Sequence, residues 1–92
     1  MYKLLIVEDD FIIAKGLQKH FEKYHYDVQY IEDFEHVLDE FLEFQPDLVL
    51  LDIHLPFFDG YYWCQEIRKI SQVPIVFISS ANENCFSNEY GW

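Results

Sequence analysis

The chain has few basic residues, which limits the partners it could bind. Lys and Arg number 6 against 17 Asp and Glu, so the formal net charge is −11. A segment this acidic offers no basic patch to neutralise phosphates, and we expect it to bind no nucleic acid itself. The same charge suits cations and basic partner surfaces, although acidity outside a site also serves solubility.

Cysteine and long apolar runs are also scarce. Cys64 and Cys85 are the only cysteines and lie far apart, so neither a disulfide framework nor a zinc knuckle is indicated. No apolar stretch reaches the length of a transmembrane helix, and Met1-Tyr2-Lys3 leads into a strand rather than a signal peptide. We therefore expect a cytoplasmic protein with no membrane partner.

What is present is the composition of one globular domain, 51% apolar and 25% charged over 92 residues. Hydrophobic periodicity predicts strands alternating with helices, which indicates an α/β fold with a doubly wound parallel sheet. The predicted strands are 3–8, 27–31, 47–52 and 74–78, and the predicted helices are 11–24, 34–44 and 60–70. Asp10, Asp33 and Asp59 are predicted helix N-caps, and Gln45-Pro46 is predicted to end the second helix.

Apolar stripes define the predicted buried faces of the three helices. Each stripe follows the spacing of three to four residues that places side chains on one helix face. The predicted members are Ile13, Leu17, Phe21 and Tyr24 in the first helix, Phe34, Val37, Leu38, Phe41 and Leu42 in the second, and Cys64, Ile67 and Ile70 in the third.

Two short apolar runs each end in carboxylates. Residues 4–7 lead into Glu8-Asp9-Asp10, and residues 48–51 lead into Asp52. Such runs are typical of buried parallel strands, whose carboxyl ends open onto the crevice where α/β sheets bind ligands. If the two strands are neighbours, Glu8, Asp9 and Asp52 converge and repel one another unless a cation lies between them. Because oxygen ligands suit hard divalent cations, the pattern predicts a Mg²⁺ site.

Four motifs at these strand ends resemble the receiver domain of two-component response regulators. They are residues 6–10, residues 50–56, the pair Asp59-Gly60 and residues 74–80. Their order and spacing match the family, so residues 1–84 are identified as a receiver domain and 85–92 as a short tail outside its pattern. The resemblance implies a flavodoxin-like sheet of order 2-1-3-4. Val7-Glu8-Asp9-Asp10 is similar to regulators that carry a winged-helix DNA-binding domain.

The resemblance implies that Asp52 is the phosphoacceptor. Its carboxylate would attack a phosphoryl group delivered by a sensor histidine kinase and become an aspartyl phosphate. Glu8 and Asp9 match the acidic pair that binds Mg²⁺, with Asp9 as a direct ligand and Glu8 acting through water. The backbone carbonyl of His54 matches the remaining protein ligand.

Two serines after the fourth strand match the part of the family that responds to phosphorylation. Ser79 matches the hydroxyl residue that contacts the phosphoryl group and shifts inward on activation. Ser80 matches the small residue beside it, where a larger side chain would block access to Asp52.

The chain departs from the family after these serines. The family places a lysine after a fifth strand, and here no lysine follows Lys69. The fifth strand and the last helix are lacking too, so we expect an incomplete switch and only weak phosphoryl acceptance. A sheet edge without its fifth strand exposes backbone N–H and C=O groups that can pair with another chain. We therefore expect self-association through strand 73–78 and the tail.

Alternatives to the signalling domain stay open. An inert fragment or binding module would keep the pocket without phosphotransfer. A Mg²⁺-dependent phosphatase that forms an aspartyl phosphate usually carries an acid two residues after its nucleophile, where His54 stands here, and we do not expect an enzyme. Phe57 and Phe58 form either a docking patch or a pair that packs on the helix beginning at Gly60.

Overall fold

The fold is that of a computed structural model, in which residues 1–79 are described. Four strands alternate with three helices, as the periodicity predicts. The elements are β1 (Lys3–Val7), α1 (Phe11–Glu22), β2 (Asp27–Tyr30), α2 (Val37–Phe44), β3 (Leu48–Asp52), α3 (Gly60–Arg68) and β4 (Ile75–Ile78). No helix in this part of the chain has the length and apolar character that crossing a membrane requires.

The four strands form one parallel sheet in the order β2-β1-β3-β4, which confirms the predicted 2-1-3-4 topology. Strands β1 and β3 are hydrogen-bonded neighbours, with Ile6 opposite Leu50 and Val7 opposite Leu51. The strand order reverses between these two strands, so the crevice at their carboxyl ends is the topological switch point. This register brings the residues after Val7 beside Asp52.

Alternate residues of the strands supply two cores, one on each face of the sheet. The first face is covered by α2 and α3, and the second is covered by α1. The first core includes Leu5, Val7, Val49, Leu51, Val37, Phe41, Trp63 and Ile67. The second core includes Leu4, Ile6, Val28, Leu50 and Ala14.

The predicted buried stripes are wrong at their ends. Tyr24, Leu42 and Ile70 are 63%, 51% and 50% exposed. Tyr24 and Ile70 lie in turns beyond the last residues of α1 and α3, so the helical spacing no longer applies to them. Leu42 follows the buried Phe41 and is rotated about 100° away from it around the helix. Trp63, which the predicted stripe of α3 omitted, is only 4% exposed.

The predicted N-cap at Asp33 is also wrong. The second helix begins later, at Val37, and its N-cap residue His36 makes no side-chain capping hydrogen bond. Asp33 instead forms a local turn, in which Oδ1 accepts from the Glu35 N–H at 3.1 Å and Oδ2 lies 2.8 Å from His36 Nδ1. Short polar side chains stabilise such turns in competition with helix.

The predicted N-caps Asp10 and Asp59 and the predicted end of the second helix are confirmed, whereas α1 and α3 each end two residues earlier than predicted. Asp10 Oδ1 accepts from the backbone N–H of Ile12 at 3.0 Å, and Asp59 Oδ1 accepts from that of Tyr62 at 2.9 Å. Gln45 adopts a left-handed conformation with φ 52° and ends α2 before Pro46. Two of the three helices therefore begin at the carboxylates that the sequence assigns to that role.

Candidate functional site

Three carboxylates converge where β1 and β3 end. Glu8 and Asp9 follow β1, Asp52 is the last residue of β3, and one carboxylate oxygen from each lies within 4.8 Å of the other two. Glu8 and Asp52 are buried, at 1% and 0% exposed, whereas Asp9 is exposed. The convergence predicted from the two apolar runs is confirmed.

Backbone hydrogen bonds orient the two buried carboxylates. The Asp10 N–H donates to Glu8 Oε2 at 3.0 Å, and the His54 N–H donates to Asp52 Oδ1 at 3.2 Å. Asp52 also forms a hydrogen bond with the side chain of Glu8. Both side chains are therefore held by groups on the segments that leave β1 and β3.

Burial and neighbouring charge make the ionised form of Asp52 unfavourable. Burial raises the pKa of Asp52, and the negative charge of Asp9 raises it further, while the hydrogen bonds from the His54 N–H and with Glu8 oppose the shift. Two unit charges 4.8 Å apart repel by about 3.5 kcal/mol at an effective dielectric constant of about 20. A divalent cation would relieve this repulsion.

The donor set fits Mg²⁺. Its three side chains offer only carboxylate oxygens, which are the ligands that a small hard cation prefers. One ligand residue is exposed and two are buried, so an ion would be reached from solvent on the side of Asp9. The side chain of His54 is exposed, as expected if only its backbone serves the site.

A glycine brings the start of α3 against the backbone of Asp52. The Gly60 N–H donates to the Ile53 carbonyl at 2.9 Å and closes the base of the loop between β3 and α3. A Cβ at Gly60 would lie 2.3 Å from the Asp52 carbonyl oxygen and 2.9 Å from Ile53 Cα. The sequence analysis did not predict this close approach. The Asp59-Gly60 pair, an N-cap followed by a glycine, was the feature that could have indicated it.

The fourth strand also ends at the site. Ile78 is the register partner of Asp52, and Ser79 follows it directly, at the carboxyl end of β4. This placement agrees with the position predicted for Ser79, which is exposed. Ser80 and the predicted tail lie outside the described residues.

Phe57 and Phe58 in the loop behave differently from each other. The Phe58 ring stacks on Tyr62 with centroids 4.3 Å apart and meets the edge of Trp63 at 5.6 Å. Phe57 is 69% exposed and has a positive φ of 67°. Packing on α3 is therefore confirmed for Phe58 and wrong for Phe57.

The fold and the acidic cluster agree with comparisons to known proteins. Residues 4–90 match the family described as the response regulator receiver domain. The uncharacterized transcriptional regulatory protein YvcP of Bacillus subtilis (strain 168) is 54% identical over 83 residues, which cover 90% of this chain and 35% of YvcP. The response regulator protein GraR of Staphylococcus aureus (strain JH9) is 46% identical over 78 residues, covering 85% of this chain and 35% of GraR. The chain thus spans about a third of the length of these curated relatives.

Solved structures give the same assignment. The N-terminal domain of the nisin resistance regulator NsrR superimposes with a TM-score of 0.80 at 45% identity, covering 91% of this chain and 71% of that domain. The BeF3-activated N-terminal receiver domain of Klebsiella pneumoniae RstA superimposes with a TM-score of 0.81 at 33% identity, covering 89% of this chain and 70% of that domain.

Proposed function

The chain belongs to the response regulator receiver domain family, and from this membership we propose that it acts in phosphorelay signalling by accepting a phosphoryl group on Asp52 from a sensor histidine kinase. The observation that carries the proposal is the convergence of Glu8, Asp9 and Asp52 at the switch point of the sheet. Relatives that are named response regulators support the kinase as partner.

The chemistry proposed for Asp52 is nucleophilic. A carboxylate oxygen attacks phosphorus, the bond from phosphorus to the kinase's histidine nitrogen breaks, and its electron pair stays on that nitrogen. The His54 N–H, 3.2 Å from Asp52 Oδ1, orients the carboxylate for this attack. Burial raises the pKa of Asp52 and keeps bulk water from the reacting group, but it also disfavours the ionised nucleophile.

Mg²⁺ would be held by Glu8, Asp9 and Asp52, with the His54 carbonyl proposed as a further ligand. When bound, it supplies positive charge that stabilises the ionised Asp52 and the transferring phosphoryl oxygens. Ser79, one position beyond the register partner of Asp52, is proposed to contact the phosphoryl group, and Ser80 to keep access open. The chain then acts as a phosphoacceptor and not as a turnover enzyme.

Metal binding is the first test of this proposal. We expect Mg²⁺ to shift the amide NMR signals of residues 52–60, because that loop begins at the acidic cluster. Asp9→Ala should abolish the shifts, whereas Asp39→Ala, which removes an exposed carboxylate of α2, should leave them unchanged. Shifts that persist in Asp9→Ala, or their absence up to tens of millimolar Mg²⁺, would contradict the proposed site.

Phosphoryl acceptance is the second test. A small phosphoramidate donor with Mg²⁺ should label the chain weakly, and Asp52→Asn should remove the label, as detected on phosphate-affinity gels and by mass spectrometry. Equal labelling of the wild type and Asp52→Asn would contradict Asp52 as the phosphoacceptor.

Two further proposals concern DNA binding and self-association. YvcP is named a transcriptional regulatory protein and is about three times as long as the matched segment, so we propose that a DNA-binding output belongs to another part of such a regulator. Self-association through strand 73–78 also remains a proposal. It is supported by Val76, which lies in β4 and is 43% exposed, and sedimentation at several concentrations tests it.

A further inference from the structure

Phe57 adopts a backbone conformation that bulky residues rarely adopt. Its φ is 67°, and the Phe58 N–H donates to the Pro56 carbonyl at 2.8 Å, which closes a three-residue turn around it. A positive φ at the centre of such a turn is the strained γ form, in which glycine would fit without a steric conflict. The loop nevertheless holds a phenylalanine here.

The fold gains little from the Phe57 ring. The side chain is 69% exposed, and among residues 1–79 its ring has no aromatic contact, whereas the neighbouring Phe58 ring stacks on Tyr62. Backbone strain without compensating burial is found where a residue serves a function, and exposed apolar surface marks interaction sites. Phe57, Phe58 and Tyr62 are 69%, 42% and 37% exposed and form an aromatic patch.

Phe57 lies close enough to Asp52 for one partner protein to contact both. Phe57 is three residues before Gly60, so their Cα atoms are at most about 11 Å apart. Gly60 itself adjoins Asp52, where its Cβ would be 2.3 Å from the carbonyl oxygen. Phe57 Cα therefore lies within about 15 Å of the Asp52 backbone. A standard interface of about 800 Å² per partner corresponds to a disc of radius about 16 Å.

We propose that Phe57 is the apolar anchor by which the protein phosphodonor, a histidine kinase, docks next to Asp52. The inference rests on the proposed function and deepens it by naming the contact surface. The ring would insert into an apolar pocket of the kinase, and exposed Asp9 and Asp59 favour basic residues at the rim of that pocket. A small donor molecule needs no such anchor.

The experiment compares a protein donor with a small donor. The protein donor is the purified, autophosphorylated histidine-kinase core that labels the wild-type chain fastest among a set of such cores, and the small donor is a phosphoramidate. Phe57→Gly removes both the ring and the steric conflict at positive φ, while Phe57→Ala removes only the ring. Tyr24→Ala is the matched control, because Tyr24 is 63% exposed and lies between α1 and the start of β2, at the opposite end of the strands from Asp52.

We expect both Phe57 variants to lower kcat/KM with the kinase core at least tenfold and to leave labelling by the phosphoramidate within twofold. Phe57→Gly should also raise the unfolding temperature, so its loss of transfer could not come from a damaged fold. Tyr24→Ala should match the wild type with both donors.

Other outcomes would overturn the proposal in distinct ways. Wild-type transfer rates from the kinase to both Phe57 variants would refute the anchor alone, and equal losses with both donors would place the effect in the acidic pocket. Labelling of wild-type Asp52 by the phosphoramidate but by no kinase core would refute the kinase partnership and the anchor with it. No labelling by either donor would refute the proposed function itself.

Discussion

Replacing Gly60 by alanine should damage the site and the fold together. The new Cβ would lie 2.3 Å from the Asp52 carbonyl oxygen and 2.9 Å from Ile53 Cα. Ordinary van der Waals contact begins near 3.4 Å, so α3 and the end of β3 must separate by about 1 Å. Both neighbouring atoms belong to the backbone, and neither can rotate away as a side chain could.

The expected cost follows from this overpacking. Insertion of a methyl group into a packed site costs about 1–3 kcal/mol, and each kcal/mol lowers the unfolding temperature of a domain this small by about 4–8 °C. Because the displaced carbonyl belongs to Asp52, a member of the acidic cluster, Mg²⁺ affinity should also fall in protein that is still folded at low temperature. Circular dichroism melts and a Mg²⁺ titration at 10 °C measure the two effects separately.

Gly16 provides the matched control. It lies within α1, and a Cβ there would meet nothing within 4 Å. Alanine is favoured over glycine inside a helix by about 1 kcal/mol, so Gly16→Ala should raise the unfolding temperature and leave Mg²⁺ binding unchanged. An unfolding temperature of Gly60→Ala equal to or above that of the wild type would refute the reasoning from close approach.

Three more outcomes are expected. Asp52→Asn should stabilise the fold by about 1–3 kcal/mol in urea unfolding at pH 7 without metal, because it removes a buried charge from a repelling cluster. The native pKa of Asp52 is raised, so the stability that Asp52 contributes below pH 3.8 is lost as the pH rises through that native pKa. A destabilised Asp52→Asn variant would contradict this account. Asp10→Ala should cost about 1 kcal/mol in the same assay, since two N–H groups lose their acceptor. The hydrogen bond that His36 Nδ1–H donates to the Asp33 carboxylate raises the pKa of His36 and lowers the pKa of Asp33. This pair therefore stabilises the fold between about pH 4 and 6.5, and its contribution weakens on either side of that range. Asp33→Asn should lower the pKa of His36 in an NMR titration, and an unchanged value would exclude the pairing in solution.

The strands and the acidic cluster were predictable from short-range pattern, together with the strand order that the resemblance implies. Apolar runs that end in carboxylates indicate buried parallel strands, and the resemblance to receiver domains supplies the order in which they pair. Once β1 and β3 are neighbours, the convergence of Glu8, Asp9 and Asp52 follows from the length of the strands alone. No side-chain detail was needed for this part of the prediction.

The errors arose where local alternatives compete or where packing decides. Asp33 has the residue type of an N-cap, but its hydrogen bonds to Glu35 and His36 favour a turn that delays α2. Phe57 and Phe58 form an apolar pair, and no periodicity in the sequence distinguishes one from the other. Phe57 is exposed by its positive φ, and that conformation depends on how the whole loop closes. The steric role of Gly60 likewise depends on a tertiary contact between the start of α3 and the end of β3.

The parallel sheet has a consequence for the order in which the site can assemble during folding. In β1 and β2, Leu4 pairs with Val28, and in β3 and β4, Val49 pairs with Ile75, so each strand–helix–strand unit closes a loop of moderate length. The central pairing joins Leu4 to Leu48 and closes the longest loop, which carries the largest entropic cost.

The acidic cluster is divided between these two units, since the first contributes Glu8 and Asp9 and the second contributes Asp52. A chain in which only one unit has formed therefore lacks the complete acidic cluster. Interactions that form after the rate-limiting step of folding act on the unfolding rate. Bound Mg²⁺ would accordingly slow the separation of the two halves and leave the rate at which they first meet nearly unchanged.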